Sequence, residues 1–291
     1  MITSVSLGLV LVSAVIHPLW NILLKKSEDK VIFYLNIHLI FAILFSFILF
    51  VYPVTNINTA GWVLIGLSAL THFFYEVFLC RTYEVGDLSL TYPIARSSPI
   101  FVLVIGLVFL KEIPSAIAIV GIVLVVFGVY MMNMSKLSIS ELVRPFRIGY
   151  REAILFALLT ALLSAAYSIV DKKGALNMSP VLFFYMFFAI SGLMFLGYFL
   201  LLKGRHKNYW PILQKDKYKI TLAAIMEFGS YVLILYAFRI SNVSYIVALR
   251  QISVIFGVIY GMLLLKETNG RVRLLASSVI TLGSFLIIAF G

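Results

Sequence analysis

The sequence predicts an all-α integral membrane protein with about ten transmembrane helices in two inverted five-helix repeats. Three observations carry that prediction. The first is composition: 62% of the 291 residues are hydrophobic and only 12% are charged, more apolar side chain than a water-soluble core of this length can hide. The second is spacing: the apolar runs are each near the ~20 residues a bilayer requires, with short polar breaks between them. The third is duplication. Residues 78–112 overlay residues 233–267 at a constant offset of 155, so that Ser89, Ser98, Ile100, Phe101 and Gly106 meet Ser244, Ser253, Ile255, Phe256 and Gly261. Both copies close with the same tripeptide, Leu110-Lys111-Glu112 and Leu265-Lys266-Glu267.

The predicted segments 1 to 10 are 3–24, 31–52, 61–83, 88–110, 114–132, 151–171, 179–202, 218–239, 243–265 and 270–290. Segment 1 ends at the charged run Lys25 to Lys30, segment 2 at Pro53, segment 3 at Gly86-Asp87, and segment 4 before Pro114. Residues 136–150 form a polar linker between a first repeat, 1–135, and a second, 151–291. Segment 6 is ended at the Lys172-Lys173 pair, residues 203–217 form the most basic loop, and Thr268-Asn269-Gly270 separates segments 9 and 10. Five helices per repeat is an odd number, so the second repeat enters the membrane in the opposite sense to the first. Lys and Arg crowd the loops after segments 1, 3, 5, 7 and 9, whereas only Lys111, Lys172, Lys173 and Arg239 lie on the other side. The crowded side is therefore cytoplasmic and both termini are extracytoplasmic.

Several classes fall away. Cys80 is the only cysteine and the four histidines lack ligand spacing, so neither a disulfide framework nor a metal site is expected. The net charge of +11 sits in short loops beside apolar runs, which reads as membrane orientation and not nucleic-acid binding. The first apolar stretch lacks a basic lead and a cleavage site, so it reads as a retained helix. Neither repeat contains the GxxxxGK[ST] phosphate loop, so no ATP use is expected. Gly257 and Gly261 make a GxxxG packing motif. Trp62 reads as an interface anchor.

Ionisable groups within a span are costly and usually mark a pathway or a paired site. Glu76, Arg96, Glu227 and Arg250 stand clear of the segment ends, joined by His72 and His17. His72 and Glu76 share one face of segment 3. Glu76 and Arg96 lie at matching depth, ~12 Å from the inner boundary at ~1.5 Å per residue, which permits an ion pair between them. The repeat offset carries His72 onto Glu227 and Glu76 onto Tyr231, and it brings Arg96 within one residue of Arg250. Segment 4 brackets Arg96 between Pro93 and Pro99, with Tyr92 just before, so it is expected to bend and act as a hinge. Segment 9 has Ala248 and Val254 at the matching places, so only the first repeat is expected to bend. Segment 1 presents His17, Trp20 and Asn21 as a polar stripe, matched in segment 6 by Ser164, Tyr167, Ser168 and Asp171. Lys111-Glu112 and Lys266-Glu267 end segments; their long side chains can snorkel, and a packing or turn role is expected of them and not catalysis.

With two five-helix repeats, a Trp20-Asn21 late in segment 1, and the duplicated Leu-Lys-Glu, the whole chain resembles the drug/metabolite transporter superfamily, in particular its EamA-like branch. Members commonly show Gly-Glu where this chain has Lys-Glu, and their termini commonly face inward. The resemblance implies a carrier of amino acids, nucleotide sugars, sugar phosphates, amines or drugs, often by exchange or ion coupling.

The leading expectation is a secondary active transporter of a small anionic or zwitterionic metabolite, working by alternating access between the inverted repeats in a prokaryotic plasma membrane. Segments 1, 3, 4, 6, 8 and 9 would line the site. Arg96 and Arg250 would take the anionic group, with Glu76, Glu227 and His72 balancing its charge. No cofactor is expected, proton or ion coupling is left open, and a monomer can hold a complete site. The alternatives are a lipid or headgroup flippase of the same fold and an intramembrane lipid-modifying enzyme. The acids are too scattered for the latter, which needs clustered carboxylates for Mg²⁺.

Overall fold

The computed structural model describes residues 2–85, 91, 94–132, 134, 136, 138–143, 151–202, 209–265 and 271–291. Its main elements are α1 (Ser4–Lys26), α2 (Lys30–Leu44), α3 (Thr59–Val85), α4 (Ser98–Phe109), α5 (Ala116–Met131), α6 (Arg151–Asn177), α7 (Pro180–Leu201), α8 (Tyr209–Ile240), α9 (Val243–Leu249), α10 (Ile252–Leu265) and α11 (Arg271–Phe290). No strand occurs among the described residues. Among the described residues six helices are long and apolar enough to cross a membrane, and Lys30–Leu44, Ser98–Phe109, Ala116–Met131 and Val243–Gly257 are shorter apolar helices. Large side chains such as Phe50, Val104 and Leu193 point outward. That arrangement suits lipid, where only the backbone must be satisfied internally.

The helix starts are set by local chemistry. Thr3 caps α1 by accepting from the Ser6 amide, and Asp29 caps α2 by accepting from the amides of Val31 and Ile32. Ser115 does the same for α5 through Ala118. Three ends differ from the sequence expectation. α6 runs through Lys172 and Lys173 to Asn177, because lysine is a good helix former and the first real breaker is Pro180. α8 starts at Tyr209, taking up residues expected in the basic loop, since Pro211 fits a first turn. The second segment ends at Leu44, and through Ser46 to Phe50 the backbone tightens into i→i−3 bonds before a four-residue turn, Ile48–Val51.

The two halves of the chain are interleaved. α1 packs against α8, α3 against α6, α2 against both α7 and α8, and α5 against α11. Each of these contacts joins the first half to the second. Two similar groups result: α1, α2, α8 and α10 on one side, and α6, α7, α3 and α4 on the other. Each group takes two helices from each half. Moving one half of the chain as a body away from the other would pull apart these packed pairs. The tightest backbone approach lies between α5 and α11. A Cβ on Gly121 would sit 2.7 Å from the Gly283 carbonyl oxygen, and one on Gly283 would sit 2.6 Å from that of Gly121. By contrast a Cβ on Gly257 would meet only Pro18 at 3.7 Å, so the expected GxxxG is not a close crossing at that glycine.

Candidate functional site

Asp171 is the centre of the buried polar core. It is fully buried on α6, and two helices of the chain reach it. From α3, Ser68 Oγ donates to Oδ1 at 2.5 Å and His72 Nε2 lies 3.0 Å from Oδ2. From α8, the Tyr231 hydroxyl donates to Oδ2. The His72 ring is stacked between Tyr167 at 4.0 Å and Phe187 at 4.6 Å, so its position is fixed on both faces as well as at its edge. Tyr167 accepts a hydrogen bond from Ser164 at 3.1 Å. The sequence placed Asp171 at a segment end because the lysine pair after it looked like a boundary. The helix continues for six more residues, which puts the carboxylate inside the bundle.

A second cluster joins α2, α3, α7 and α8. His38 Nδ1 lies 3.1 Å from the Phe188 carbonyl oxygen and Nε2 lies 3.0 Å from Glu76 Oε2. Both side chains are essentially inaccessible, at 0% and 1%. The expected partner of Glu76 was Arg96; the structure gives it His38 instead. Glu76 and Arg96, on consecutive segments, were paired by depth alone, and the neighbour across the bundle decided otherwise. On its own helix His38 meets the ring of Tyr34, four residues earlier, at 5.4 Å, a helical spacing that the sequence reading left unused. Beside this pair, the Tyr34 hydroxyl donates to Glu227 Oε1 at 3.2 Å. Glu227 Oε2 is buried without a hydrogen-bond partner.

The third cluster surrounds His17 on α1. Trp20 Nε1 donates to His17 Nδ1 at 3.2 Å, and Arg250 Nη2 lies 3.5 Å from the same atom. Asn21 Nδ2 lies 3.4 Å from the other ring nitrogen, Nε2, so donors face the imidazole on both sides. Asn21 Nδ2 donates to the His17 carbonyl at 2.8 Å. The Arg250 guanidinium also stands 5.0 Å over the Tyr231 ring, a cation–π contact. Its Nε is buried without a hydrogen-bond partner. Arg96 is half-buried and, with Arg250, bears electrostatically on His17. His17, Trp20, Tyr167, Tyr231, His72, Glu76, Glu227 and Arg250 therefore belong to one connected region. Tyr92 and Pro93 lie outside the described residues.

Both arginines sit at breaks. Between α9 and α10 the chain passes Arg250 and Gln251 with i→i−3 bonds, Gln251 N to Ala248 O at 3.0 Å and Ser253 N to Arg250 O at 3.1 Å. Before α4, Ser97 N bonds Ile94 O at 3.0 Å and Ile100 N bonds Ser97 O at 3.1 Å, around Arg96. The expectation of a bend in the first repeat alone is corrected. The second break needs no proline, since the tightened turn satisfies its own amides. Pro99 lies in the first turn of α4, where a proline costs no helix bond, so the break precedes it.

Glu112 takes a packing role and does not reach for water. Oε1 lies 3.1 Å from Lys172 Nζ and accepts from the Val243 amide at 3.0 Å; Oε2 accepts from Ser244 Oγ at 3.3 Å. Lys172 also donates to the Ser241 carbonyl at 2.7 Å, and Ser241 Oγ donates to Ser6 at 2.8 Å. These contacts join the two halves at one end of the bundle. Lys111 adopts φ 55 just after α4, which turns the chain so that Glu112 points inward.

The family profile described as EamA-like transporter family matches residues 5–134 and 151–289. The chain belongs to the EamA-like transporter family. As such it is a multi-pass membrane transporter of the drug/metabolite type, and the two matched stretches cover both halves of its internal duplication. Among solved structures, one crystal structure aligns over 98% of this chain and 96% of its own, with a TM-score of 0.74 at 11% identity. A likeness at that identity shows the fold alone. No curated protein matches the chain.

Proposed function

We propose that this EamA-like protein is a secondary active transporter of a small anionic or zwitterionic metabolite. The observation that carries the reading is the pair of incompletely bonded charged groups in the core: Glu227 Oε2 and Arg250 Nε have no hydrogen-bond partner among the described residues. A buried charge left short of partners is expensive, and a polar ligand would supply what is missing. Guanidinium groups at broken helices suit a carboxylate or phosphate. The six long helices and four shorter apolar ones would make ten crossings, arranged as inverted repeats of residues 1–135 and 151–291 with a linker between. The membrane would be the cytoplasmic membrane of a prokaryote, with both termini outside.

Alternating access would move the mixed groups α1, α2, α8, α10 and α3, α4, α6, α7 against each other, with α5 and α11 as the fixed pair. The end tied by Glu112, Lys172, Ser241 and Ser6 would be the closed gate. Uptake by proteoliposomes, measured over a panel of labelled carboxylates, phosphorylated sugars and amino acids, tests this. Glu227→Gln, Arg250→Gln and Arg96→Gln are expected to fold, by monodisperse elution, and to lose gradient-driven uptake. Wild-type uptake by all three folded variants would overturn the reading.

A further inference from the structure

Two charged groups of the core are placed to act on each other. Among the described residues around Tyr231, Arg250 is cationic, and Asp171 and Glu227 are the carboxylates left once the His38–Glu76 pair is set aside. That pair is neutral as a unit. The Phe188 carbonyl can only accept, so His38 Nδ1 carries a proton, and the 3.0 Å line from Nε2 to Glu76 Oε2 holds one more. Whichever atom owns that proton, the pair sums to zero. Asp171 is held by three donors. Glu227 is different: one oxygen takes the Tyr34 hydroxyl, the other takes nothing, and the residue is only half-buried.

The groups that bear on Glu227 are Tyr34 and His38 from α2, Glu76 from α3, and Arg250 from the break between α9 and α10. Tyr231, one turn further along α8, carries the Arg250 guanidinium on its ring face. Of these, Arg250 alone has an uncancelled charge. A monoanion binding to Arg250 would add a negative charge beside Glu227, in a medium where excess charge is costly. The group that can remove the excess is the one with a free oxygen.

We propose that Glu227 is a proton-binding site linked to an anion on Arg250, so that proton and anion enter and leave the core together. This rests on the transporter reading for its purpose. Its thermodynamics do not: affinity of the anion must rise as Glu227 takes its proton, and the reverse holds by linkage.

Trp20 is a reporter within the site, because its indole donates to the His17 nitrogen that Arg250 also contacts. In the full-length chain with Trp62→Phe and Trp210→Phe, in nanodiscs, acetate binding is followed by Trp20 fluorescence from pH 5.5 to 8.5. Over the titration range of Glu227, the acetate Kd is expected to rise about tenfold per pH unit, the slope for one linked proton. Glu227→Gln should bind acetate with no pH dependence, and Arg250→Gln should not bind it. A wild-type Kd independent of pH, no acetate binding, or a slope that survives in Glu227→Gln and vanishes in Glu76→Gln would each overturn the proposal. Binding is read without flux. A proper slope with no uptake of any panel compound would sink the transporter reading and leave the linkage standing.

Discussion

Removing Asp171 tests whether the core is a network or a set of separate bonds. The carboxylate accepts from Ser68 at 2.5 Å, from His72 at 3.0 Å and from Tyr231. A single interhelical hydrogen bond in a membrane bundle is worth about 0.6 kcal/mol on average and up to ~1.7. Ser68→Ala and Tyr231→Phe should each cost that much. Asp171→Ala does something else: it strands three buried donors, at ~1–3 kcal/mol each, for a total of ~3–9 kcal/mol. That is a large part of the 5–15 kcal/mol that folded domains typically possess, taken as about that range here. In the Asp171→Ala background, Ser68→Ala and Tyr231→Phe should then cost nothing, because the donors they remove have lost their acceptor. The resulting coupling should equal the cost of each single substitution, ~0.6–1.7 kcal/mol. The assay is reversible unfolding by SDS from bicelles, followed by circular dichroism, on the four variants of each cycle. Strict additivity, or an Asp171→Ala protein within ~0.5 kcal/mol of wild type, would refute the network.

Other expectations follow from single contacts. Glu112→Gln removes half of a nearly buried ion pair with Lys172 and should loosen the closed end. In a Cys80→Ser background, maleimide labelling of Ser6→Cys should quicken about tenfold, the equivalent of ~1.4 kcal/mol, and an unchanged rate would remove the gate. Gly121→Ala places a methyl 2.7 Å from the Gly283 carbonyl oxygen and should destabilise by ~1–3 kcal/mol through overpacking; an equally stable variant would show that α5 and α11 can part freely. Pro99→Ala should alter stability by less than about 1 kcal/mol and leave uptake intact, since the proline occupies a first turn. Loss of uptake there would restore it as a hinge.

Much of this protein was legible without its tertiary structure. Apolar composition and run length announced a membrane bundle, because burial in lipid leaves its mark on every residue of a span. The offset of 155 exposed the duplication, and isolated charges such as Glu76, Glu227 and Arg250 stood out because an oily interior makes them costly. What the chain could not reveal was partnership. His38 meets Glu76 across 38 residues, Asp171 meets Ser68 across 103, and Tyr34 meets Glu227 across 193. Hydrogen bonds form between side chains that helix packing brings within about 3 Å, and helical periodicity says which face a residue shares but not which helix stands opposite. Only the interleaving of the halves decided that Asp171 would be a centre, that a break without proline would carry Arg250, and that Glu112 would tie an end of the bundle instead of reaching for water.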